Sequence, residues 1–211
     1  MKARGRKCSI FYFESEGREN LGKVLSLVKA RVMGSTIHKV IVFTRDGEGP
    51  LRAAEMLQGV QIVAVTFPYK QRFRDSERVD NGESIVPGTS SPEVVRKLVE
   101  RGIRLVRGTM PFQPVVIPYA KDPKIEGIKH ALCLFGTGMS LCIQSILMAT
   151  DAGEVEPGEE VAAMSADTAI VATGALSHWL FHPEEGMEVR EIVCKPRVLT
   201  VSKNRKPSQD G

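Results

Sequence analysis

The sequence predicts one α/β domain with a largely parallel sheet. Short runs of β-branched residues alternate with longer amphipathic stretches along most of the 211 residues, a pattern typical of βαβ units. Hydrophobic residues make up 42% and charged residues 26% of the chain, a composition that excludes disordered and fibrous proteins. No linker composition interrupts residues 9–201. We therefore expect a single domain there, between basic tails at 1–8 and 202–211.

Seven segments have the composition of strands. The unbroken apolar centre of 38–44 indicates a strand that is buried on both faces, whereas 104–107 is a shorter run that ends in Arg107. In chain order, the predicted strands are 9–13, 38–44, 61–66, 104–107, 160–164, 168–173 and 189–194.

Five segments have helical signals. Asn20 is a capping residue ahead of apolar residues at helical spacing, and Gly34 ends that segment. Pro50 and Pro92 are each expected at the first position of a helix, and Gly102 closes the second of these two. The predicted helices cover about 20–33, 50–57, 92–101, 125–134 and 139–152.

Two long stretches show no sustained periodicity. Gly, Pro, Arg and Asp are frequent in residues 67–91, and residues 108–126 carry four prolines. Connections of this length are uncommon inside a compact domain. We expect these loops to have a function of their own or to contain further short elements.

The net charge of +4 belongs to the tails. Residues 1–8 carry +4 and residues 202–211 carry +2, which leaves −2 for residues 9–201. A nucleic-acid groove is therefore not indicated. The apolar runs fall far short of a membrane span, and the basic N-terminus leads into a strand rather than a signal-peptide core. We expect a cytoplasmic protein with no membrane partner. Weak, salt-sensitive contact of the basic tails with RNA is a minor alternative.

The cysteines and histidines do not predict a metal site. The four cysteines lack a CxxC pair, and Cys133 and Cys142 stand in apolar stretches where thiols pack as small hydrophobes. His178 and His182 would share one face of a helix, but Pro183 truncates such a helix and no third ligand is in register.

The turn after the second predicted strand is the strongest candidate for ligand binding. In a parallel α/β sheet, ligands bind beyond the carboxyl ends of the strands. Glycine amides at a helix N-terminus suit a phosphate group, although the two acids of this turn would oppose one unless they point away. An ordinary turn, with glycine present for positive φ, is the alternative. The residues are Thr44, Arg45, Asp46, Gly47, Glu48 and Gly49.

Three further segments are expected at the same edge of the sheet. Thr66 and Phe67 follow the third strand, and Asn20 lies in the loop after the first. A glycine-rich turn precedes the most apolar predicted helix and resembles half of a dinucleotide fingerprint; the alternative is a tight turn that lets this helix pack close to the sheet. That turn comprises Gly136, Thr137, Gly138 and Met139.

Catalytic residues cannot be assigned from spacing. No GxSxG elbow, Walker A loop or HExxH motif is present. Asp151 stands at the C-terminal end of a predicted helix, where an acid opposes the helix dipole. We expect Asp151 to have a capping or hydrogen-bond partner and a structural role.

Six segments carry a family resemblance. Their order is similar to that of the C-terminal α/β domain of pyruvate kinase, and in particular of the stand-alone archaeal and bacterial proteins related to it. They are GRENL (17–21), IVFTRDGEGPLRAAEML (41–57), VQIVAVT (60–66), FGTGMSLCIQSILMATDAG (135–153), ADTAIV (166–171) and EIVCKPR (191–197).

The resemblance implies a three-layer αβα sandwich with a mixed sheet and a late antiparallel strand. It also implies binding of flavin mononucleotide (FMN) without pyruvate kinase activity, with the phosphate at 44–49 and the cleft bordered by Asn20 and 136–139. Three features depart from the family pattern, one of which is the length of the 67–91 and 108–126 loops. The loop before ADTA lacks the usual glycines and arginines, and Gln144 stands in place of an acid.

The sequence therefore predicts a small-molecule binding protein that holds a phosphorylated ligand, with FMN as the best candidate. Arg45 would supply charge and Phe67 would line an aromatic ring. The alternative is a regulatory or assembly module that binds a sugar phosphate, a nucleotide or only another subunit, in which case a homo-oligomer is expected.

Overall fold

A computed structural model describes residues 8–74, 84–113 and 123–199. Nine strands and five α-helices are present in these ranges. The strands are β1 (Phe11–Ser15), β2 (Lys39–Phe43), β3 (Gln61–Thr66), β4 (Phe73–Arg74), β5 (Ser84–Ile85), β6 (Arg104–Arg107), β7 (Glu160–Met164), β8 (Ala169–Thr173) and β9 (Val189–Val198). The helices are α1 (Leu21–Val32), α2 (Glu48–Met56), α3 (Pro92–Glu100), α4 (Pro123–Cys133) and α5 (Thr137–Asp151).

Seven strands form one mixed sheet in the order β1-β9-β8-β7-β2-β3-β6. Within the described ranges, β8 alone runs antiparallel to its neighbours in this sheet. The expected α/β class with a mostly parallel mixed sheet is confirmed. The carboxyl ends of the other six strands consequently lie at one edge, which we call the carboxyl edge.

Apolar side chains cover both faces of the sheet. Val40 and Val42 belong to a core cluster with α1, α2 and α3, whereas Ile41 belongs to a cluster with α4 and α5. All three side chains are almost completely buried, as the apolar run predicted. Alternation along a strand thus places helices on both sides of the sheet, in three layers.

The fifth helix is the central element of its layer. Residues from Gly138 to Thr150 are buried, apart from Leu141, and the helix packs against β2, β3, β7 and β8. The continuous apolar composition of this segment reflects burial on nearly all sides.

The expected start of α2 is wrong. The helix begins at Glu48 and not at Pro50, because Gly47 adopts a left-handed φ of 88° and turns the chain into the helix two residues earlier. Pro50 is still within the first turn, where its missing N–H has no intrahelical acceptor to lose.

The last strand is longer than expected. It runs to Val198, through Pro196, instead of ending at Cys194. Pairing with β8 stops at Cys194, and beyond that point β9 pairs with β1 alone. A proline therefore costs no ladder hydrogen bond on the β8 side.

The predicted and observed bounds of β1 and α5 also differ, and the 67–91 loop contains short elements. The first strand lies two residues later than expected, and α5 begins two residues earlier. The 67–91 loop contains the short β4–β5 hairpin and a 3-10 turn at Gly88–Ser90. The basic tails, residues 75–83 and residues 114–122 lie outside the described residues. Among the described helices, none has the length and apolar character needed to cross a bilayer.

Candidate functional site

The candidate residues fall into two neighbouring groups on the carboxyl edge. The first group surrounds the β2–α2 turn and the end of β3, where the Thr44 amide donates to the Val65 carbonyl at 2.9 Å. The second group surrounds the N-terminus of α5 and the β7–β8 turn. Because β2 pairs with β7, the two groups are adjacent.

The β2–α2 turn satisfies two of its own amides. The Gly47 amide donates to Thr44 Oγ1 at 2.9 Å, and the Glu48 amide donates to Asp46 Oδ1 at 3.0 Å. These are N-terminal helix amides, which a bound anion would otherwise accept from. In this conformation the turn presents its own side-chain oxygens to both donors.

Two arginines neutralise the acids of this turn. Arg18 forms ion pairs with Asp46, at 2.8 Å, and with Glu48, and Arg52 lies 3.2 Å from Glu48. The hydrogen bond from Arg18 holds the pKa of Glu48 below its ordinary value. Asp46 turns one carboxylate oxygen back to the Glu48 amide and the other to Arg18. Both acids also line a groove of about 380 Å³ together with Leu51.

The 3-10 turn at Gly88–Ser90 covers the β2–α2 turn. The Thr89 amide and hydroxyl both approach the Arg45 carbonyl oxygen, at 3.1 and 3.4 Å. A Cβ on Gly47 would lie 2.7 Å from Val94 Cγ1. Positive φ and close packing therefore account for Gly47, as the ordinary-turn alternative requires. Gly49 is likewise packed, since a Cβ there would lie 3.1 Å from Val42 Cγ1.

The end of β3 brings a hydroxyl and an aromatic pair to the first group. The buried Thr66 hydroxyl lies 2.8 Å from the Thr89 hydroxyl. Phe67 packs edge to face on Phe43, with ring centroids 5.0 Å apart. Both rings are partly buried. This pair adjoins the 44–49 turn directly, because Phe43 precedes Thr44 in the chain.

The second group is a tightly packed junction. Gly136 has a φ of 102° and precedes Thr137, the first residue of α5. A Cβ on Gly138 would lie 2.3–2.7 Å from side-chain oxygens of Ser165, Asp167 and Thr168. Met139 is buried. Close approach of α5 to the β7–β8 turn accounts for Gly138, which favours the packing alternative over a dinucleotide fingerprint.

Asp167 ties this junction to the loop after β1. Its Oδ2 accepts the Gly17 amide at 3.2 Å, and its Oδ1 accepts the Thr168 hydroxyl at 2.9 Å. Burial raises the pKa of Asp167 above the ordinary carboxyl value. Asn20 lies in the same loop, but its side chain donates to the Ser15 carbonyl instead of capping α1.

Sequence reasoning missed residues at the end of β6. Arg107 is partly buried, and its Nη2 donates to the Thr89 carbonyl at 2.7 Å. Its guanidinium lies 5.3 Å from the centre of the Tyr69 ring. Arg107 Nε and Gln71 Oε1 are buried without a hydrogen-bond partner among the described residues. The signal was available, because Arg107 ends a correctly predicted strand and therefore lies at the carboxyl edge.

The other candidate side chains are buried or bonded to neighbouring parts of the chain. Asp151 accepts the Ser177 amide at 2.9 Å and the Ser177 hydroxyl at 2.5 Å, which confirms the expected partner. Burial raises the pKa of Cys142 well above its ordinary value and that of Cys194 to about 12, so neither is a thiolate near neutral pH. His182 Nδ1 accepts backbone amides of the chain just after it. Among the described residues, no group of three or more His, Cys, Asp or Glu side chains is placed to hold a metal.

No family model matches the chain. The resemblance to the C-terminal domain of pyruvate kinase therefore stays a prediction that depends on the six sequence segments.

Proposed function

We propose that this protein binds a phosphorylated small molecule at the carboxyl edge of its sheet, with FMN as the first candidate and without pyruvate kinase activity. The observation that carries the proposal is the position of the Phe43–Phe67 pair. This pair adjoins a turn with glycine, hydroxyl and arginine at the ends of two neighbouring parallel strands. A ligand with a flat ring and an anionic group matches that combination.

The aromatic part of the site suits a flavin better than the turn suits its phosphate. Partly buried rings at a strand end offer apolar contact to an isoalloxazine. In contrast, the Gly47 and Glu48 amides already donate to Thr44 and Asp46, so a phosphate at this turn would have to displace a carboxylate. When bound, a flavin supplies redox chemistry, while the protein residues orient it and exclude water.

Ligand titration of the full chain tests the proposal. A ligand at 100 times its Kd raises the free energy of unfolding by about 2.7 kcal/mol, or roughly 5–10 °C in Tm for a chain of this size. We expect FMN to produce such a shift and to lose fluorescence on binding. Riboflavin, which lacks the phosphate, should bind more weakly. An unchanged Tm at saturating FMN would contradict the proposal.

A pair of phenylalanine variants locates the ring. Phe67→Leu should weaken FMN binding, because it removes an aromatic face and keeps an apolar side chain of similar volume. Phe181→Leu is the matched control, since Phe181 is 73% exposed and follows β8, whose carboxyl end lies at the opposite edge of the sheet. Equal FMN affinity in both variants would place the flavin elsewhere.

A regulatory or assembly module is the second candidate. The outer strand β1 supports it, because Phe11 and Tyr12 are 39% and 50% exposed on a strand that pairs with β9 alone in the described sheet. Exposed edge strands can pair with another chain. Sedimentation velocity with and without FMN separates the candidates. An oligomer that forms without any ligand response would favour assembly through subunit contacts.

A further inference from the structure

We propose that Arg107 is the anion anchor of this ligand site, and that its ligand is a phosphate ester bearing a free hydroxyl group. The inference rests on the proposed function and deepens it. It moves the phosphate from the β2–α2 turn, where sequence reasoning expected it, to the carboxyl ends of β3 and β6. The turn then positions the neighbouring 3-10 turn and does not cradle the phosphate.

The register of the sheet places Arg107 at the site. Phe43 pairs with Val65, and Thr66 pairs with Arg107. The ends of β2, β3 and β6 are therefore consecutive along the carboxyl edge. Arg107 lies on β6 beside Thr66, and Thr66 immediately precedes Phe67. Phe43 and Phe67 pack on the α4–α5 side of the sheet, whereas alternation along β6 puts Arg107 on the same side as Leu105, which packs against the other cluster. A ligand that contacts both the aromatic pair and Arg107 would therefore span the carboxyl edge of the sheet.

The guanidinium of Arg107 has unused hydrogen-bonding capacity. One Nη2 donor is engaged by the Thr89 carbonyl, while the buried Nε has no acceptor among the described residues. By comparison, Arg18 and Arg31 are both paired with carboxylates. A buried donor without an acceptor is costly, and an oxyanion is the acceptor that a guanidinium fork fits best. A phosphate oxygen would supply that acceptor once the protein atoms that bury Nε move aside.

The neighbouring loop supplies further ligand-directed features. Tyr69 is 57% exposed, and the Lys70 ammonium lies 5.2 Å from the centre of its ring. Lys70 has a backbone φ of 55°, which residues other than glycine rarely adopt. Its amide donates to Ser90 Oγ at 3.0 Å. Strained backbone of this kind occurs preferentially at ligand sites. The cations of this loop and of β6 make the corner favourable for an anion.

The side-chain oxygen of Gln71 indicates that the ligand also carries a hydrogen-bond donor. Gln71 Oε1 is buried and lacks a donor among the described residues, and Gln71 lies in the same turn as Tyr69, since its amide donates to the Pro68 carbonyl at 3.1 Å. A hydroxyl group would satisfy this oxygen. The ribityl phosphate of FMN and a simple polyol phosphate share this chemistry, and separate probes distinguish them.

Calorimetric titration at low salt tests the anchor. The probes are FMN, glycerol 3-phosphate and inorganic phosphate, each titrated into the full wild-type chain, Arg107→Gln and Arg104→Gln. Arg104 is an exposed residue at the other end of the same strand and provides the matched control. We expect Arg107→Gln to weaken phosphate-ester binding about 10- to 100-fold, and Arg104→Gln to change it by less than about twofold.

The titrations can contradict the role of Arg107 and the proposed FMN binding separately. FMN binding that is equal in wild type and Arg107→Gln would overturn the anchor and leave the proposed function intact. Glycerol 3-phosphate binding that depends on Arg107, without FMN binding, would support the anchor and reject the flavin. Wild type that binds none of the three probes would overturn both.

Two further variants exclude a purely structural role. If Arg107 merely fixed the 88–90 turn, Arg107→Lys would lower Tm without changing ligand affinity, whereas an anchor that uses the guanidinium fork predicts weaker phosphate-ester binding in this variant too. Gln71→Leu should weaken glycerol 3-phosphate binding and leave inorganic phosphate binding unchanged. Equal effects on both probes would refute the hydroxyl contact.

Discussion

Substitution of Gly138 by alanine is a direct test of the junction between α5 and the β7–β8 turn. A Cβ at this position would lie 2.3 Å from Thr168 Oγ1, 2.6 Å from Asp167 Oδ1 and 2.7 Å from Ser165 Oγ. Contacts this short force the turn to move. Overpacking of this kind costs about 1–3 kcal/mol, and loss of one hydrogen bond of Asp167 adds about 0.5–1.5 kcal/mol. We expect a total destabilisation of about 2–4 kcal/mol.

Urea unfolding followed by far-ultraviolet circular dichroism measures the effect. Gly127→Ala is the matched control, because Gly127 is an exposed residue within α4 and a Cβ there meets no heavy atom within 4 Å. That change should stabilise the protein by about 0.5–1 kcal/mol through the greater helix propensity of alanine. The same chemical substitution is therefore expected to have opposite signs at the two sites.

A Gly138→Ala variant that is as stable as the wild type would contradict this prediction. Such a result would mean that the β7–β8 turn does not lie against the first turn of α5. Close packing would then no longer explain the glycine, and ligand approach at 136–139 would again become the better explanation of that motif.

Two further predictions concern the core and pH. Leu98→Ala should lower the free energy of unfolding by about 2–5 kcal/mol, because Leu98 is fully buried, whereas Val99→Ala, at a site 65% exposed, should change it by less than about 0.5 kcal/mol; urea unfolding of both checks this. Burial raises the pKa of Asp167 in the folded protein above the ordinary value of 3.8, so the folded state holds this proton more tightly than the unfolded chain does. The stability of the wild type relative to Asp167→Asn should therefore fall as pH rises from below 3.8 through the folded-state pKa, and a difference in Tm that is constant or grows with pH would contradict this.

Strand positions were predictable where composition and burial agree. The bounds of β3, β6 and β7 match the predicted 61–66, 104–107 and 160–164. Each of these segments is bounded by residues that interrupt an apolar run. Neighbouring strands flank β3 and β7 on both sides, whereas β6 is a partly exposed edge strand. The end of β9 was not predictable, because Pro196 is acceptable only where β8 no longer pairs with that strand. That condition is a property of the sheet and not of the local sequence.

The position of the candidate site was predictable to the level of an edge. The rule that ligands bind beyond parallel strand ends selected the turn at 44–49, and the structure adds the reason why its two amides are engaged. The contact of Arg107 with Thr89 could not be predicted, because it requires β6 to pair beside β3 and the 3-10 turn to fold over Arg45. The first is a pairing between strands far apart in the chain, and the second is the fold of a loop with no clear periodicity, so neither is a property of the local sequence.

Two energetic terms bear on whether the proposed phosphate binds at the β2–α2 turn or at the end of β6. At the β2–α2 turn, a phosphate must displace the Asp46 carboxylate, which satisfies the Glu48 amide and pairs with Arg18. Loss of the capping bond costs about 0.5–2 kcal/mol, and loss of an exposed ion pair costs about 0.2–1 kcal/mol, before any gain is made. At Arg107 an oxyanion would supply the acceptor that Nε lacks among the described residues, which removes a penalty of about 1–3 kcal/mol for a buried donor without an acceptor. Because Nε is buried, the protein atoms that cover it have to move aside first. These terms support the proposal that the phosphate binds at the end of β6. The carboxylates at 46 and 48 then serve the chain itself: Asp46 accepts the Glu48 amide, and both acids pair with arginines.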